Sequence, residues 1–260
     1  MQDLRIALIQ TNQFWEDKTR NLSHYETEFF SKIEPGSCDL IVLPEMFNTS
    51  FTMNTTEMAE DLDGDSIKWL QKWAKIIDSQ LVATLIVRDH NSFYNRLVIV
   101  SEKGIEASYD KRHLFRMADE HLHFTAGQNR IVYTLKGWRI LPQVCYDLRF
   151  PVYSRNRTVN GLPEYDLALY PANWPERRSE IWSVLLQARA IENQAFCLGV
   201  NRVGTDGKGI VYSGDTRVVD PWGKTLYLAP KHKEEVKFLT LSSQILAEIR
   251  EQFPAYKDAD

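Results

Sequence analysis

The chain has 260 residues, of which 43% are hydrophobic and 25% are charged, proportions typical of folded globular proteins and unlike those of disordered or collagen-like chains. Its 31 basic and 35 acidic residues give a formal net charge of −4 with no block of one sign, which argues against a broad nucleic-acid-binding surface. No apolar stretch of the sequence is long enough to span a bilayer, so we expect a protein that binds neither membranes nor nucleic acid.

The first part of the chain alternates apolar runs of strand length with amphipathic helices. Strands are predicted at 4–9, 39–43, 81–87 and 97–100. Two predicted helices carry apolar residues at spacings of three and four: Leu22, Tyr25, Phe29 and Ile33 in the first, and Ile67, Leu70, Ala74 and Ile77 in the second. Pro35-Gly36 ends the first helix, and Asp63 or Asp65 is the predicted N-cap of the second.

Strands dominate after Gly104. They are predicted at 139–144, 166–170, 196–200, 216–219 and 236–241, with one helix between Pro175 and Gln194. No linker, low-complexity tract or internal repeat interrupts this pattern. We therefore predict one α/β domain, a sandwich of sheets with helices outside.

Three reactive side chains follow predicted strands, where α/β proteins commonly carry functional groups. They are Glu45, Lys111 and Cys145. A cysteine can form a covalent acyl intermediate when a neighbouring carboxylate removes its proton, and a lysine can stabilise the thiolate and the developing oxyanion. Spacing alone does not make this pattern specific, because many proteins of this size carry such residues.

The other cysteines and the histidines predict no further chemistry. The three cysteines form no Cys-x-x-Cys pair, which favours a reducing compartment and hence a cytoplasmic location. Cys38 and Cys197 lie in apolar surroundings and are predicted to be packing thiols. His121 and His123 alternate as strand ligands do, but no Cys or third His completes a zinc set.

The segments around the three reactive residues resemble, in the same order, the catalytic segments of the nitrilase (carbon–nitrogen hydrolase) superfamily. They are Leu-Pro-Glu-Met-Phe at 43–47, Tyr-Asp-Lys-Arg-His-Leu-Phe at 109–115 and Cys-Tyr-Asp-Leu-Arg-Phe-Pro at 145–151. Further similar segments lie at 172–175, 187–193, 201–204 and 212–216. The resemblance implies a four-layer α-β-β-α sandwich, a single domain over residues 1–260, no cofactor, and a homodimer with the helix at 176–194 as a contact candidate.

The same family carries a second catalytic glutamate, seven positions before the glycine of a segment usually written Pro-Gly. Phe124-Thr125-Ala126-Gly127 resembles that segment, with alanine in place of proline. The resemblance therefore assigns the second glutamate to Glu120.

Residues 111–123 and the terminal segment 253–260 are similar to the bacterial omega-amidase branch of the family. Its members hydrolyse the terminal amide of 2-oxo acids such as 2-oxoglutaramate and 2-oxosuccinamate. The resemblance implies a small 2-oxo acid amide as the partner of this protein, with the 2-oxo dicarboxylate and ammonia as products. Methionine salvage, which generates such amides by transamination, is the implied context.

The resemblance also implies a role for each residue. Glu45 takes the thiol proton of Cys145, and the thiolate attacks the amide carbon to form a thioester. Lys111 and the backbone N–H of Tyr146 stabilise the oxyanion. Glu120 orients Lys111, as the third member of a triad orients the second.

A substrate with a carboxylate needs a cation, and Arg116 is the predicted one, because a guanidinium binds a carboxylate at two points. Arg149 and Arg177 are less favoured candidates for binding this carboxylate. Arg149 is expected instead to pair with Asp147 and brace the turn of the nucleophile.

Two aromatic residues complete the predicted site. Trp174 follows a strand end and is predicted to form a wall of the substrate pocket. Phe47 flanks Glu45, where an apolar ring would desolvate the carboxylate. Gly204, Gly207 and Gly209 are predicted to form a hairpin turn, since the Gly-Lys-Ser/Thr of a phosphate loop is absent.

Three alternatives stay open. Another amidase or an N-carbamoyl hydrolase would share the catalytic residues, and acyl transfer to an amine would share the covalent step. A non-catalytic partner module could keep the same fold, although the presence of Glu45, Lys111, Cys145 and Glu120 favours an enzyme.

Overall fold

The structure is a computed structural model that describes residues 1–258. The last two residues of the terminal segment 253–260 lie outside this part of the chain.

The strands follow the apolar runs of the sequence. In chain order they are β1 (Leu4–Gln10), β2 (Leu40–Val42), β3 (Gln80–Asp89), β4 (Ser92–Ser101), β5 (Gly104–Asp110), β6 (Tyr133–Leu135), β7 (Trp138–Pro142), β8 (Thr158–Val159), β9 (Leu162–Pro163), β10 (Leu167–Ala172), β11 (Phe196–Asn201), β12 (Val203–Thr205), β13 (Val211–Ser213), β14 (Arg217–Val219), β15 (Thr225–Leu228) and β16 (Glu235–Leu241).

The helices occupy the segments between and after these strands. They are α1 (Lys18–Glu28), α2 (Thr55–Met58), α3 (Asp65–Ile77), α4 (Glu120–His123), α5 (Pro151–Ser154), α6 (Ser179–Asn193) and α7 (Ser243–Gln252). Short 3-10 turns lie at Phe30–Lys32, Arg116–Ala118, Cys145–Arg149, Glu176–Arg178 and Ala255–Lys257.

Most strands belong to two sheets of six strands, with the orders β16-β1-β2-β3-β4-β5 and β15-β14-β11-β10-β7-β6. Strands β1, β2 and β3 are parallel in the first sheet, and β7, β10 and β11 are parallel in the second. Parallel neighbours end at the same edge of a sheet, where α/β proteins place their functional residues. The segments after β2, β7 and β10 each leave such an edge.

The core is layered because successive side chains of a strand point to opposite faces. Leu4 and Ile6 pack with residues of the second sheet, whereas Ala7 and Ile9 pack with α1 and α3. On the far side, α6 buries Trp182 against the second sheet. The order of layers is helix, sheet, sheet and helix, which confirms the predicted α/β sandwich.

The start of α3 differs from the prediction. Its N-cap is Gly64, not Asp63 or Asp65, and Gly64 offers no side-chain bond. The carboxylate of Glu60 instead accepts the backbone N–H of Ser66 at 2.9 Å, which satisfies one of the donors that a helix start leaves open. The preceding loop therefore caps this helix.

The predictions for the helix before Gln194, for the glycine-containing hairpin and for the two packing cysteines are confirmed. The segment between Pro175 and Gln194 forms α6 after a 3-10 turn, and β12 and β13 pair as an antiparallel hairpin. Cys38 and Cys197 are buried. Within residues 1–258, no helix is long and apolar enough to cross a membrane.

Candidate active site

Cys145 begins the 3-10 turn that follows β7, and its backbone φ is +45°. A residue other than glycine is strained in this left-handed region, and such strain clusters at functional sites. Asp147 holds the turn, because its Oδ2 accepts hydrogen bonds from the Val144 N–H at 3.0 Å and the Tyr109 O–H at 2.8 Å. The backbone of Cys145 is therefore positioned by β5 of the other sheet as well as by its own turn.

Asp147 does not pair with Arg149, so that prediction is wrong. Its other oxygen, Oδ1, accepts the backbone N–H of His113 at 2.9 Å and lies 2.7 Å from the His113 ring nitrogen Nδ1. These donors and those at Oδ2 occupy the carboxylate. The guanidinium of Arg149 instead lies 5.2 Å from the ring centroid of Trp174.

Glu45, Lys111 and Glu120 form a buried ionic cluster. Lys111 Nζ lies 2.8 Å from Glu45 Oε1 and 2.9 Å from each carboxylate oxygen of Glu120. Burial lowers the pKa of Lys111, but the charges of Glu120 and Glu45 outweigh burial and hold this pKa above its ordinary value. Lys111 therefore keeps its positive charge beside Cys145.

Two asparagines orient the carboxylates. Asn95 on β4 donates from Nδ2 to Glu45 Oε1 at 2.8 Å and to Glu120 Oε1 at 3.1 Å. The backbone N–H of Asn173, after β10, donates to Glu45 Oε2 at 2.9 Å. Sequence reasoning missed Asn95. The strand predicted at 97–100 begins after Asn95, whereas β4 begins at Ser92 and buries this amide, and a buried amide requires partners.

Burial raises the pKa of the Cys145 thiol well above its ordinary value; the charge of Glu45 adds to this shift and that of Lys111 opposes it. The thiol is therefore neutral near neutral pH, and it needs a base to become a nucleophile. Glu45 lies close enough for its charge to act on the thiol, and the Cys145 Sγ–H donates to the Asn173 carbonyl at 4.0 Å. This pairing of thiol and carboxylate, with a cation alongside, is suited to attack on an acyl carbon.

An open cavity of about 700 Å³, its mouth included, leads to Cys145. Lys111, Tyr146 and Trp174, three of the predicted site residues, line it. Glu45 and Glu120 contact the lysine from the protein side and are fully buried.

Phe47 is not part of the cavity wall. It is buried in the core between the first sheet and its helices, and its ring centroid lies 5.8 Å from those of Tyr25 and Trp69. Phe51 lines the cavity instead, with its ring centroid 5.2 Å from Lys111 Nζ. Met46, just before Phe47, and Ser50, just before Phe51, have φ values of +45° and +63°, so the chain turns sharply at both positions.

Arg116 is exposed and does not line the cavity, whereas Arg149, Arg177 and Arg178 do. Arg178 was not among the predicted residues. Within residues 1–258, no group of three or more His, Cys, Asp or Glu side chains is placed to hold a metal ion.

The sequence model of the family described as Carbon-nitrogen hydrolase matches residues 5–251. The chain belongs to the carbon–nitrogen hydrolase family. It is thus an enzyme that hydrolyses carbon–nitrogen bonds of amides, and the predicted resemblance is confirmed.

Relatives of this hydrolase extend over its whole length. It is 45% identical to the omega-amidase YafV of Escherichia coli (strain K12), over 100% of this chain and 98% of the relative. It is 34% identical to the 2-oxoglutaramate amidase of Bacillus subtilis (strain 168), over 90% of this chain and 89% of the relative.

A solved structure has the same fold as this hydrolase. XC1258 from Xanthomonas campestris, a CN-hydrolase superfamily protein with an arsenic adduct in its active site, superposes with a TM-score of 0.96 at 41% identity. The match covers 100% of this chain and 98% of XC1258. The four-layer sandwich is therefore the fold of this family.

Proposed function

We propose that this carbon–nitrogen hydrolase is an omega-amidase, which releases ammonia from the terminal amide of 2-oxo acids such as 2-oxoglutaramate and 2-oxosuccinamate. The observation that carries the proposal is the buried cluster of Glu45, Lys111 and Glu120 beside Cys145. The names of two relatives, an omega-amidase and a 2-oxoglutaramate amidase, support the substrate class.

In the first half of the proposed reaction, Glu45 accepts the thiol proton of Cys145 and the sulfur bonds to the amide carbon. The carbonyl oxygen becomes an oxyanion, which the Lys111 ammonium and the Tyr146 N–H stabilise. Protonated Glu45 then gives its proton to the leaving nitrogen. Ammonia departs, and a thioester remains on Cys145.

In the second half, water takes the place of ammonia. Glu45 removes a proton from this water as its oxygen attacks the thioester carbon, and the same donors stabilise the second oxyanion. Collapse of this intermediate expels the Cys145 thiolate, which recovers the proton from Glu45. The product is the 2-oxo dicarboxylate, and Glu120 acts by orienting Lys111 from 2.9 Å.

The test is ammonia release from 2-oxoglutaramate, 2-oxosuccinamate, glutamine, asparagine and butyronitrile. We expect the two 2-oxo acid amides to be the best substrates, and Cys145→Ala to lower the rate by about 10⁴-fold or more, because the covalent route is lost. Cys38→Ala is the matched control, since Cys38 is a buried thiol outside the cavity wall, and it should retain activity.

An acyl adduct on Cys145, trapped by acid quench and found by mass spectrometry, would separate an amidase from a non-catalytic module. Hydroxylamine in the assay would reveal acyl transfer to an amine. Full activity of folded Cys145→Ala, or turnover of the nitrile without turnover of the amides, would contradict the proposal.

We also propose that residues 1–260 act as one domain and that two copies pair through the outer face of α6. Ile181, Val184 and Ile191 on this helix are 40%, 58% and 51% exposed, and such apolar strips mark association surfaces. Light scattering should give twice the 30.2 kDa chain mass, and Val184→Glu should give the mass of one chain. A one-chain mass for the unmodified protein would contradict the dimer.

A further inference from the structure

The wall of the active-site cavity carries an excess of positive charge. Arg149, Arg177, Arg178 and Lys208 line it in addition to Lys111, although the whole chain has a net charge of −4. Lys111 is paired with the two buried glutamates. Within residues 1–258, none of the other four cations forms an ion pair with a carboxylate at the wall.

Among the described residues that line the cavity, Asp206 is the one with a carboxylate, and this carboxylate already accepts hydrogen bonds from other groups of the protein. Its Oδ1 accepts the backbone N–H groups of Lys208 and Ile210, and its Oδ2 accepts the Tyr212 O–H, each at 2.9 Å. These bonds close the hairpin of β12 and β13. The carboxylate therefore shapes the wall and leaves the arginines without a partner.

Arg149 and Arg178 each have their guanidinium group over an aromatic ring. The guanidinium of Arg149 lies 5.2 Å from the Trp174 ring centroid, and that of Arg178 lies 5.2 Å from the Phe115 ring centroid. Stacking of this kind holds a guanidinium in place while leaving its N–H groups free for a ligand. Both side chains are half-buried, whereas Arg177 and Lys208 are exposed at the mouth.

Both aromatic platforms are tied to the catalytic residues. Trp174 directly follows Asn173, whose backbone N–H donates to Glu45 Oε2 at 2.9 Å, and its own Nε1 donates to the Arg178 carbonyl at 2.8 Å. The backbone N–H of Phe115 donates to Glu120 Oε2 at 2.6 Å, and the Phe115 ring packs edge-on against Tyr146 at 5.0 Å. The positions of the two guanidinium groups are thus coupled to that of Cys145.

Neither arginine forms an ion pair with a carboxylate of residues 1–258. Burial lowers the pKa of Arg178, and repulsion by Arg177 and Arg149 adds to this shift. Like charges held together in a half-buried wall are unfavourable without an anion. An anionic group of a ligand would relieve this repulsion.

We propose that Arg149 and Arg178 form the receptor for the carboxylate of the substrate, while the amide at its other end reaches Cys145. This inference rests on the proposed function and deepens it, because it names the groups that select a carboxylate. An α-ammonium group finds no free carboxylate at the described wall, so the receptor favours 2-oxo acid amides over amino acid amides such as glutamine. Arg116, outside the wall, has no part in it.

The test compares succinamate with butyramide, which differ only in a carboxylate or a methyl group at the far end. We expect Arg178→Gln and Arg149→Gln each to lower the ratio of kcat/KM values, succinamate over butyramide, by about tenfold or more, chiefly through KM, because charged hydrogen bonds are lost. Arg178→Lys should give a ratio between those of the wild type and Arg178→Gln, since lysine keeps the charge but cannot form the paired hydrogen bonds of a guanidinium. Arg157→Gln, an exposed site away from the cavity wall, should leave the ratio unchanged.

A second measurement does not depend on turnover. In the Cys145→Ala background, calorimetric binding of 2-oxoglutarate should weaken by about tenfold when Arg178→Gln is added. An unchanged ratio and an unchanged affinity in folded Arg178→Gln would overturn the receptor, as would an equal loss with Arg116→Gln. If the wild type fails on 2-oxoglutaramate yet its preference for succinamate depends on Arg178, the proposed function fails and the receptor stands.

Discussion

Glu45→Gln should lower kcat/KM for 2-oxoglutaramate by about 10³-fold or more, because it removes the base for the Cys145 thiol and the acid for the leaving nitrogen. The amide also fits the site poorly. Lys111 Nζ and Asn95 Nδ2 donate to one carboxylate oxygen, and the Asn173 N–H donates to the other. Either orientation of the introduced amide points its NH₂ at a donor, which adds a cost of about 1–3 kcal/mol in stability.

The same variant should have a more acidic thiol. The Glu45 charge is one of the causes that raise the pKa of Cys145, so its removal lowers that pKa. The rate of alkylation of Cys145 by iodoacetamide, followed against pH by mass spectrometry, should reach its midpoint at a lower pH in Glu45→Gln than in the wild type. Loss of hydrolysis together with easier thiolate formation would show that Glu45 acts by moving protons.

Glu251→Gln is a suitable control, because Glu251 is exposed on α7 and the substitution is the same. Hydrolysis by Glu45→Gln within a few-fold of the wild type would exclude Glu45 as the base. An upward shift of the alkylation midpoint would contradict the electrostatic account of the Cys145 thiol.

Lys111→Met should lower the free energy of unfolding by about 3–5 kcal/mol, because it leaves two buried carboxylates without their cation. For a chain of this size, that loss corresponds to a Tm lower by about 10 °C. It should also lower activity by about 10³-fold through the loss of an oxyanion donor. Thermal unfolding and ammonia release measure the two effects separately.

The stability loss should depend on pH in a defined direction. Burial already raises the pKa of Glu120, and Lys111 opposes this shift, so removal of the lysine raises the Glu120 pKa further. An acid whose pKa is higher in the folded state stabilises that state at low pH and loses this contribution as the pH rises. The difference in unfolding free energy between the wild type and Lys111→Met should therefore shrink from about pH 8 to about pH 5.

A double substitution separates the structural role of Lys111 from its chemical one. Glu120→Gln in the Lys111→Met background removes one of the two buried carboxylates that have lost their cation. The double variant should therefore unfold at a higher temperature than Lys111→Met alone. Activity should stay low, because the cation near Cys145 is still missing. Additive losses of stability would show that Lys111 and Glu120 are not energetically coupled, despite the 2.9 Å contacts between them.

The sequence alone determined the class of the fold and predicted the reacting groups. The short apolar run at 4–9 predicts a strand buried on both faces. The apolar spacing at 67–77 predicts a helix packed on a sheet, because this period follows from helix geometry. The segments around Glu45, Lys111 and Cys145 identified the family, since all three resemble its catalytic segments and occur in the same order.

The tertiary structure decided which other side chains reach the site. Asn95 contacts the cluster only because β4 passes beside the end of β5, and Phe47 leaves the site because the chain turns sharply after Pro44. Arg178 lines the cavity and Arg116 does not, although Arg116 is nearer to Lys111 in sequence. The cavity wall is assembled from loops far apart in the chain, and a local pattern carries no information about which loops meet.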